Sequence, residues 1–206
     1  MENSIDSSRP KVVFDVDDVL WPLGEVVARK LGIDSERYFY QFSVKDNSML
    51  TEREREAVIA AFADPQYFAE IDFFAGIENI MKPCELGAIV KIKSNSFNEQ
   101  VARLKVQQLL AAVPNLCEDD IQMNIIRYGQ AHGKTIDRDT TIFVDDSPYN
   151  VATSPAITNI MPDLGNWNRG AEAMRIINGR PVRYAKSLCE INELVYTQIE
   201  HQLRAV

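Results

Sequence analysis

The feature that most constrains this chain is a repeated event: a short apolar run breaks off at carboxylates or hydroxyls, and a stretch of helical periodicity follows. Lys11-Val12-Val13-Phe14 stops at Asp15-Val16-Asp17-Asp18. Ala88 to Lys93 stops at Ser94-Asn95-Ser96, and Thr141 to Val144 stops at Asp145-Asp146. Ile121 to Ile126 and Ile157 to Met161 are two more strand candidates. Short apolar runs without polar alternation mark strands buried on both faces. Strands that alternate with helices build a parallel sheet covered on both sides, and ligands collect at the carboxyl ends of its strands.

The helices are placed by their punctuation. Pro22 and Gly24 open one that Gly32 closes. Thr51 and Glu54 make a capping box for a helix reaching Ala63. Arg37 to Phe42 is aromatic and has no clear period, and no strand is readable between Trp21 and Phe73. The whole stretch therefore reads as a helical insertion. A helix is expected from Gly76 to Leu86, stopped by Gly87. Ser96 and Glu99 read as the capping box of another, with Ala102, Val106, Leu109, Leu110 and Val113 on one face. Two helices close the chain, Arg169 to Asn178 and Ser187 to Leu203, the second with a stripe of Leu188, Ile191, Val195 and Ile199.

Bulk properties exclude several classes. At 206 residues the chain is long enough for one sizeable α/β domain with a small insertion. A net charge of −8 disfavours nucleic-acid polymers as partners. No apolar run approaches a membrane span, and the first ten residues carry no apolar leader, so no membrane partner and a cytoplasmic location are expected. Cys84, Cys117 and Cys189 lack zinc spacing and read as buried small apolar residues. No GxGxxG follows the first strand, which disfavours a dinucleotide-binding dehydrogenase.

The chemistry must lie at the strand ends. Two carboxylate clusters at one sheet edge repel unless a cation sits between them, and hard oxygen ligands in this number suit magnesium. Asp15 and Asp17 alternate along an extended segment, so they can act together, one attacking phosphorus while the other handles the proton. The helix expected from Ser96 offers free N–H groups to an anion. Ser94 can donate to a phosphate oxygen. Lys134, after Gly133, is placed to supply a cation, and Lys93 is its competitor.

Val-Val-Phe-Asp15-Val-Asp17-Asp18-Val-Leu-Trp resembles the first motif of the haloacid dehalogenase superfamily. Ile-Lys-Ser94-Asn95-Ser96 resembles the second, Lys134 the third, and Ile-Phe-Val-Asp145-Asp146-Ser-Pro the fourth. The gap of 145 − 134 = 11 positions is similar to deoxyribonucleotidase-like members.

The resemblance implies a Rossmann-like three-layer core over residues 1–20 and 74–206, with a small α-helical cap over 21–73. It implies an Mg2+-dependent phosphatase acting on a small phosphorylated metabolite, a nucleoside monophosphate being favoured. Asp15 and Asp17 would be catalytic. Ser94, Asn95 and Lys134 would bind phosphate, and Asp15, Asp17, Asp145 and Asp146 would ligate the metal, Asp17 through its carbonyl. Trp21, Tyr38 and Phe42 would line the substrate pocket. A monomer or homodimer is expected. A phosphomutase is the alternative, and a non-catalytic phosphate-binding module ranks below it. Two departures stand out: Asp18 occupies a position that is commonly Gly, and Lys91 and Lys93 lie on a strand that ought to be buried.

Overall fold

The computed structural model describes residues 9–69, 71–127, 134–163, 176–177 and 180–204. Five strands fall where the apolar runs place them: β1 (Lys11–Phe14), β2 (Ile89–Ser96), β3 (Ile121–Ile125), β4 (Ile142–Val144) and β5 (Thr158–Pro162). Two more follow, β6 (Ile176–Ile177) and β7 (Arg180–Ala185). The sheet order is β3-β2-β1-β4-β5-β7-β6. All neighbouring strands are parallel except β6, which pairs antiparallel with β7. The chain grows outward from β1 through β2 to β3, then returns to the other side of β1 as β4. The order therefore reverses between β1 and β4, the place where such sheets bind ligands.

Alternation along the central strands sorts their side chains onto two faces. Val12, Phe14, Ile142 and Val144 join one large core with Val90 and Ile92. Val13 and Phe143 turn to the other face, against Ile136 and Ala156. The first face is covered by α5 (Glu99–Ala112) and α7 (Leu188–Arg204), with Leu188, Ile191, Val195 and Ile199 of α7 all buried as the stripe predicts. On the opposite face α6 (Pro148–Thr153) packs Val151 against Met161 and Val182.

Between β1 and β2 lie α1 (Leu23–Leu31), α2 (Ser35–Tyr38), α3 (Glu52–Ala61) and α4 (Pro65–Phe68), with no strand among the described residues. This part is held by its own local bonds. Gly32 closes α1 in the left-handed region at φ 66°. Asp34 caps α2, and the Thr51–Glu54 capping box opens α3. Arg37 clamps Glu54 through both terminal guanidinium nitrogens, at 3.0 and 2.8 Å. Asn47, fully buried, donates to the carbonyls of Arg37 and Tyr38.

Several sequence expectations are corrected. The stretch from Gly76 to Leu86 forms two short 3-10 turns, Ile77–Asn79 and Lys82–Leu86, because Pro83 cannot supply a helical N–H. Helix α5 begins at Glu99 with Asn98 as its cap, the Asn98 side chain accepting from Val101 N–H. Ser96 is still in the strand, and its hydroxyl donates to the Asn98 carbonyl. The buried stripe of α5 is correspondingly rotated to Val101, Ala102, Lys105 and Leu109, leaving Leu110 at the surface. Most of the helix expected over 169–178 lies outside the described residues, but Ile176 and Ile177 form a strand. Strand β7 was not foreseen; Arg180, Pro181 and Arg183 mask its apolar character. The three cysteines are exposed rather than buried, since they sit in turns and at the start of α7. Among the described residues no helix is long and apolar enough to cross a membrane.

Candidate active site

Strand register assembles the site. Phe14 is level with Val144, so Asp15 and Asp145 emerge side by side one residue later. Backbone bonds carry the alignment past the strand ends, Asp15 N–H donating to the Val144 carbonyl at 2.8 Å and Asp145 N–H to that of Ile160 at 3.2 Å. Asp146 is the next residue. Oxygens of Asp15, Asp145 and Asp146 lie within 4.8 Å of one another, and all three residues are buried.

Lys134 neutralises part of this cluster. Its ammonium lies 2.5 Å from Asp15 Oδ2 and 2.7 Å from Asp145 Oδ2, almost wholly shielded from solvent. Burial works against its charge, but Asp145 and Asp15 outweigh that and hold it above the ordinary lysine range. Asp145 is oriented further by Ser147 N–H at 2.8 Å and by the Asn150 amide at 3.1 Å to both oxygens.

One cation does not balance three carboxylates. Burial pushes Asp15 up to about 7, with Lys134 opposing and Asp145 and Asp17 adding to the rise. Asp146 is also raised well above the usual carboxylate range, by burial and then by Asp145 and Asp15. Asp15 Oδ1 is buried without a hydrogen-bond partner. A buried anionic oxygen with no donor is costly, and a divalent cation removes that cost. The donor set is all oxygen and carboxylate-rich, which fits magnesium.

Asp17 is positioned differently. Its Oδ1 accepts from the indole N–H of Trp21 at 2.9 Å, and its Oδ2 lies 2.6 Å from the ammonium of Lys105. Its carboxylate is therefore outside the cluster of Asp15, Asp145 and Asp146. Asp18 has φ 55°, the left-handed region that glycine favours but aspartate tolerates, and its Oδ1 accepts from Gly24 N–H at 2.8 Å. That explains how aspartate occupies a position commonly held by glycine.

The candidates on β2 separate cleanly. Ser94 is fully buried, with its hydroxyl beside Lys105, while Asn95 and Ser96 line a cavity of about 810 Å³ over the strand ends. Lys93 turns to the opposite sheet face, donating to the Thr135 carbonyl at 3.1 Å and pairing with Asp137 at 3.7 Å. Lys91 likewise pairs with Asp120. These two lysines are thus answered by acidic loops rather than by apolar packing, and of Lys93 and Lys134 it is Lys134 that lies against Asp15 and Asp145.

The cavity is also lined by Tyr38, Phe42, Phe62, Phe68, Phe97 and Tyr149. Trp21 is fully buried, stacked on Phe73, and does not line it. Sequence reasoning missed Asn150, Ser147 and Lys105. Lys105 alone left a signal, a charge midway between Val101 and Leu109 at helical spacing.

No protein-family model and no curated protein matches the chain. Solved structures do. One is a putative beta-phosphoglucomutase from Bacteroides vulgatus, with 14% identity and a TM-score of 0.56 over 95% of this chain and 90% of that one. Another is a haloacid dehalogenase-like family hydrolase from Streptococcus pneumoniae, with 13% identity and a TM-score of 0.56 over 93% and 99%. A third is the D,D-heptose 1.7-bisphosphate phosphatase from B. bronchiseptica complexed with magnesium and phosphate, with 13% identity and a TM-score of 0.53 over 92% and 99%. The fold is that of haloacid dehalogenase-like proteins, a Rossmann-like α/β sheet with flanking helices.

Proposed function

We propose that the chain is a magnesium-dependent phosphomonoesterase working through an aspartyl-phosphate on Asp15. The observation that carries this reading is the unpartnered Asp15 Oδ1 in a buried cluster of three carboxylates and one lysine, at the floor of the cavity. The three solved structures that are similar in fold are named as a putative mutase, a hydrolase and a phosphatase, which supports the reading.

Asp15, Asp145 and Asp146 would hold magnesium, with the Asp17 carbonyl as a further candidate ligand. When bound, the ion supplies positive charge that lets a phosphate dianion approach the carboxylates. Asp15 attacks phosphorus, forming an acyl-phosphate bond as the ester P–O bond breaks, and the leaving oxygen takes a proton from Asp17. Water then attacks the same phosphorus, its proton passing to Asp17 and the acyl-phosphate bond breaking. Lys134 keeps Asp15 oriented and offsets charge beside it. Asn95, which lines the cavity, would hold phosphate oxygens, whereas the Ser94 hydroxyl expected to do so is wholly buried behind it beside Lys105.

In this reading helices α1–α4, residues 21–73, are the cap that meets the leaving group. The aromatic wall of Phe42, Phe62, Phe97 and Tyr149 suits a planar group, which supports a nucleoside monophosphate as substrate. The test is phosphate release from a panel of nucleoside monophosphates, sugar phosphates and aryl phosphates, with magnesium or with chelator. Magnesium-dependent release that disappears in Asp15→Asn is expected. Release undiminished by chelation would overturn the metal assignment. Phosphorylated acceptor in place of free phosphate would make the chain a phosphotransferase.

A further inference from the structure

Lys105 is the one charged residue in the inward stripe of α5. It lies between Val101 and Leu109 and is 1% exposed. A leucine there would complete the stripe at no electrostatic cost, whereas burying an ammonium costs free energy that pairing rarely repays in full. Stability therefore does not account for it. The ammonium has three donors, and the structure gives each a direction: Asp17 Oδ2 at 2.6 Å, the Asn95 carbonyl at 2.9 Å and, more loosely, Ser94 Oγ at 3.4 Å. Its tip also stands 5.3 Å from the centre of the Phe68 ring, on the insertion side of the cavity. Asp17 is thus fixed at both oxygens, by Lys105 on one and by the buried indole of Trp21 on the other.

We infer that Lys105 is the positioning residue for Asp17, locking the carboxylate that moves the proton to the strand segment that holds phosphate. The inference rests on the phosphomonoesterase reading of the site. Lys134 and Lys105 then divide the labour. Lys134 belongs to Asp15 and the metal cluster, whereas Lys105 belongs to Asp17 and β2. Because α5 is anchored on the sheet through Val101 and Leu109, Lys105 ties Asp17 to the core even if the helices between β1 and β2 shift. Lys105 acts through Asp17 and does not itself bind the ester.

The test is a double-mutant cycle with magnesium present. Lys105→Met, Asp17→Asn and the double variant are assayed on an alkyl phosphomonoester and on 4-nitrophenyl phosphate, with thermal unfolding recorded for each. Lys105→Met should lower kcat on the alkyl ester by about 10²–10³-fold with KM within a few-fold, since the loss lies in proton transfer. The double variant should be no slower than Asp17→Asn. Nitrophenolate, which leaves without a proton, should still be released in a burst. Lys105→Arg, which keeps the charge, should recover part of kcat. Trp21→Phe, which removes the other bond to Asp17 together with part of a buried ring, should give the same pattern more weakly with a lower unfolding temperature, and it carries the test if Lys105→Met does not fold.

Near-native kcat in Lys105→Met would overturn the inference. So would losses that multiply on the Asp17→Asn background, or a raised KM at unchanged kcat, which would make Lys105 a substrate ligand. A wild-type protein inert on every phosphomonoester would instead overturn the phosphomonoesterase reading.

Discussion

The two walls of the cavity are built on opposite principles. On the sheet side, Asp15, Asp145, Asp146 and Lys134 are buried, and the register of β1 against β4 sets their spacing. On the insertion side, Phe42 is 41% exposed and Lys45 and Asp46 are open to solvent. That side is stabilised away from the cavity, by the Thr51–Glu54 box, the Arg37–Glu54 clamp and buried Asn47. Its cavity face divides accordingly: Tyr38 and Phe68 also belong to the core, whereas Phe42, Lys45 and Asp46 stand out into solvent. The comparison teaches that a change on the sheet wall disturbs chemistry and folding together, whereas a change on the insertion wall can alter recognition alone.

The largest effect that could break this comparison is the loss of Lys134. Lys134→Met removes the only cation touching Asp15 and Asp145 among the described residues. Turnover should fall by about 10²–10³-fold. Unfolding in chelator should also occur at a markedly lower temperature, because deleting one partner of a buried ion pair costs about 3–5 kcal/mol. Magnesium should recover part of the stability but little of the rate. Lys93→Met, on the other sheet face, should keep most of the activity. If the two variants exchanged these behaviours, the sheet wall would have been assigned to the wrong lysine.

Much of this wall was legible in the sequence. Asp15, Ser94, Asp145 and Asp146 each follow an apolar run, and a parallel sheet brings such ends to one edge whatever the loops do. Lys105 left only its helical spacing from Val101 and Leu109 as a signal, because its role depends on the rotation of α5, and that rotation is set by Asn98 rather than Ser96 as the cap. A shift of two residues turns a helix by more than half a turn and changes which side chains face inward. Trp21 was misplaced for a related reason. An aromatic next to a strand-end carboxylate motif reads as pocket lining, but its indole is spent on Asp17 and its ring on Phe73. Strand β7 escaped because Arg180, Pro181 and Arg183 break the apolar run that marks a buried strand.

An effect of intermediate size concerns pH. A carboxyl whose folded pKa lies above its unfolded value binds protons in the folded state that the unfolded chain releases. The metal-free protein should therefore lose stability as pH rises between the unfolded value of 3.8 and the folded value of about 7 for Asp15. Asp146 is displaced in the same direction. Glu54 has the opposite sign: Arg37 and Thr51 hold it at about 2, so its contribution is present above its unfolded 4.5 and is lost only as pH falls towards about 2. The two windows barely meet. In chelator, the unfolding temperature should be a few degrees lower at pH 8 than at pH 5. Magnesium should raise it at pH 8 and do little at pH 5, where protons occupy the cluster. A metal-free protein that grew more stable across this window would show that the sheet wall does not carry the charge conflict assigned to it.

The smallest effect sharpens the comparison from the insertion side. Phe42 projects at the rim of the cavity, whereas Tyr38, four residues earlier, is 5% exposed and packs its ring edge-on against Phe39, 4.9 Å between centres. Both line the cavity, but only Tyr38 is also part of the insertion's own core. Phe42→Ala should lower the unfolding temperature much less than Tyr38→Ala, since the ring is 41% exposed. It should lower kcat/KM for nucleoside and aryl phosphates by about 10-fold relative to a small alkyl phosphate, the scale of one apolar contact to the leaving group. Tyr38→Ala should instead lower the unfolding temperature, by the usual cost of emptying a packed aromatic site, and reduce activity on every substrate alike. Kinetics on the three substrate types, with unfolding curves for both variants, separate the cases. Equal losses on all substrates in Phe42→Ala would mean that the rim is as structural as the core beneath it, and recognition would then have to lie with Phe97 and Tyr149 on the sheet side.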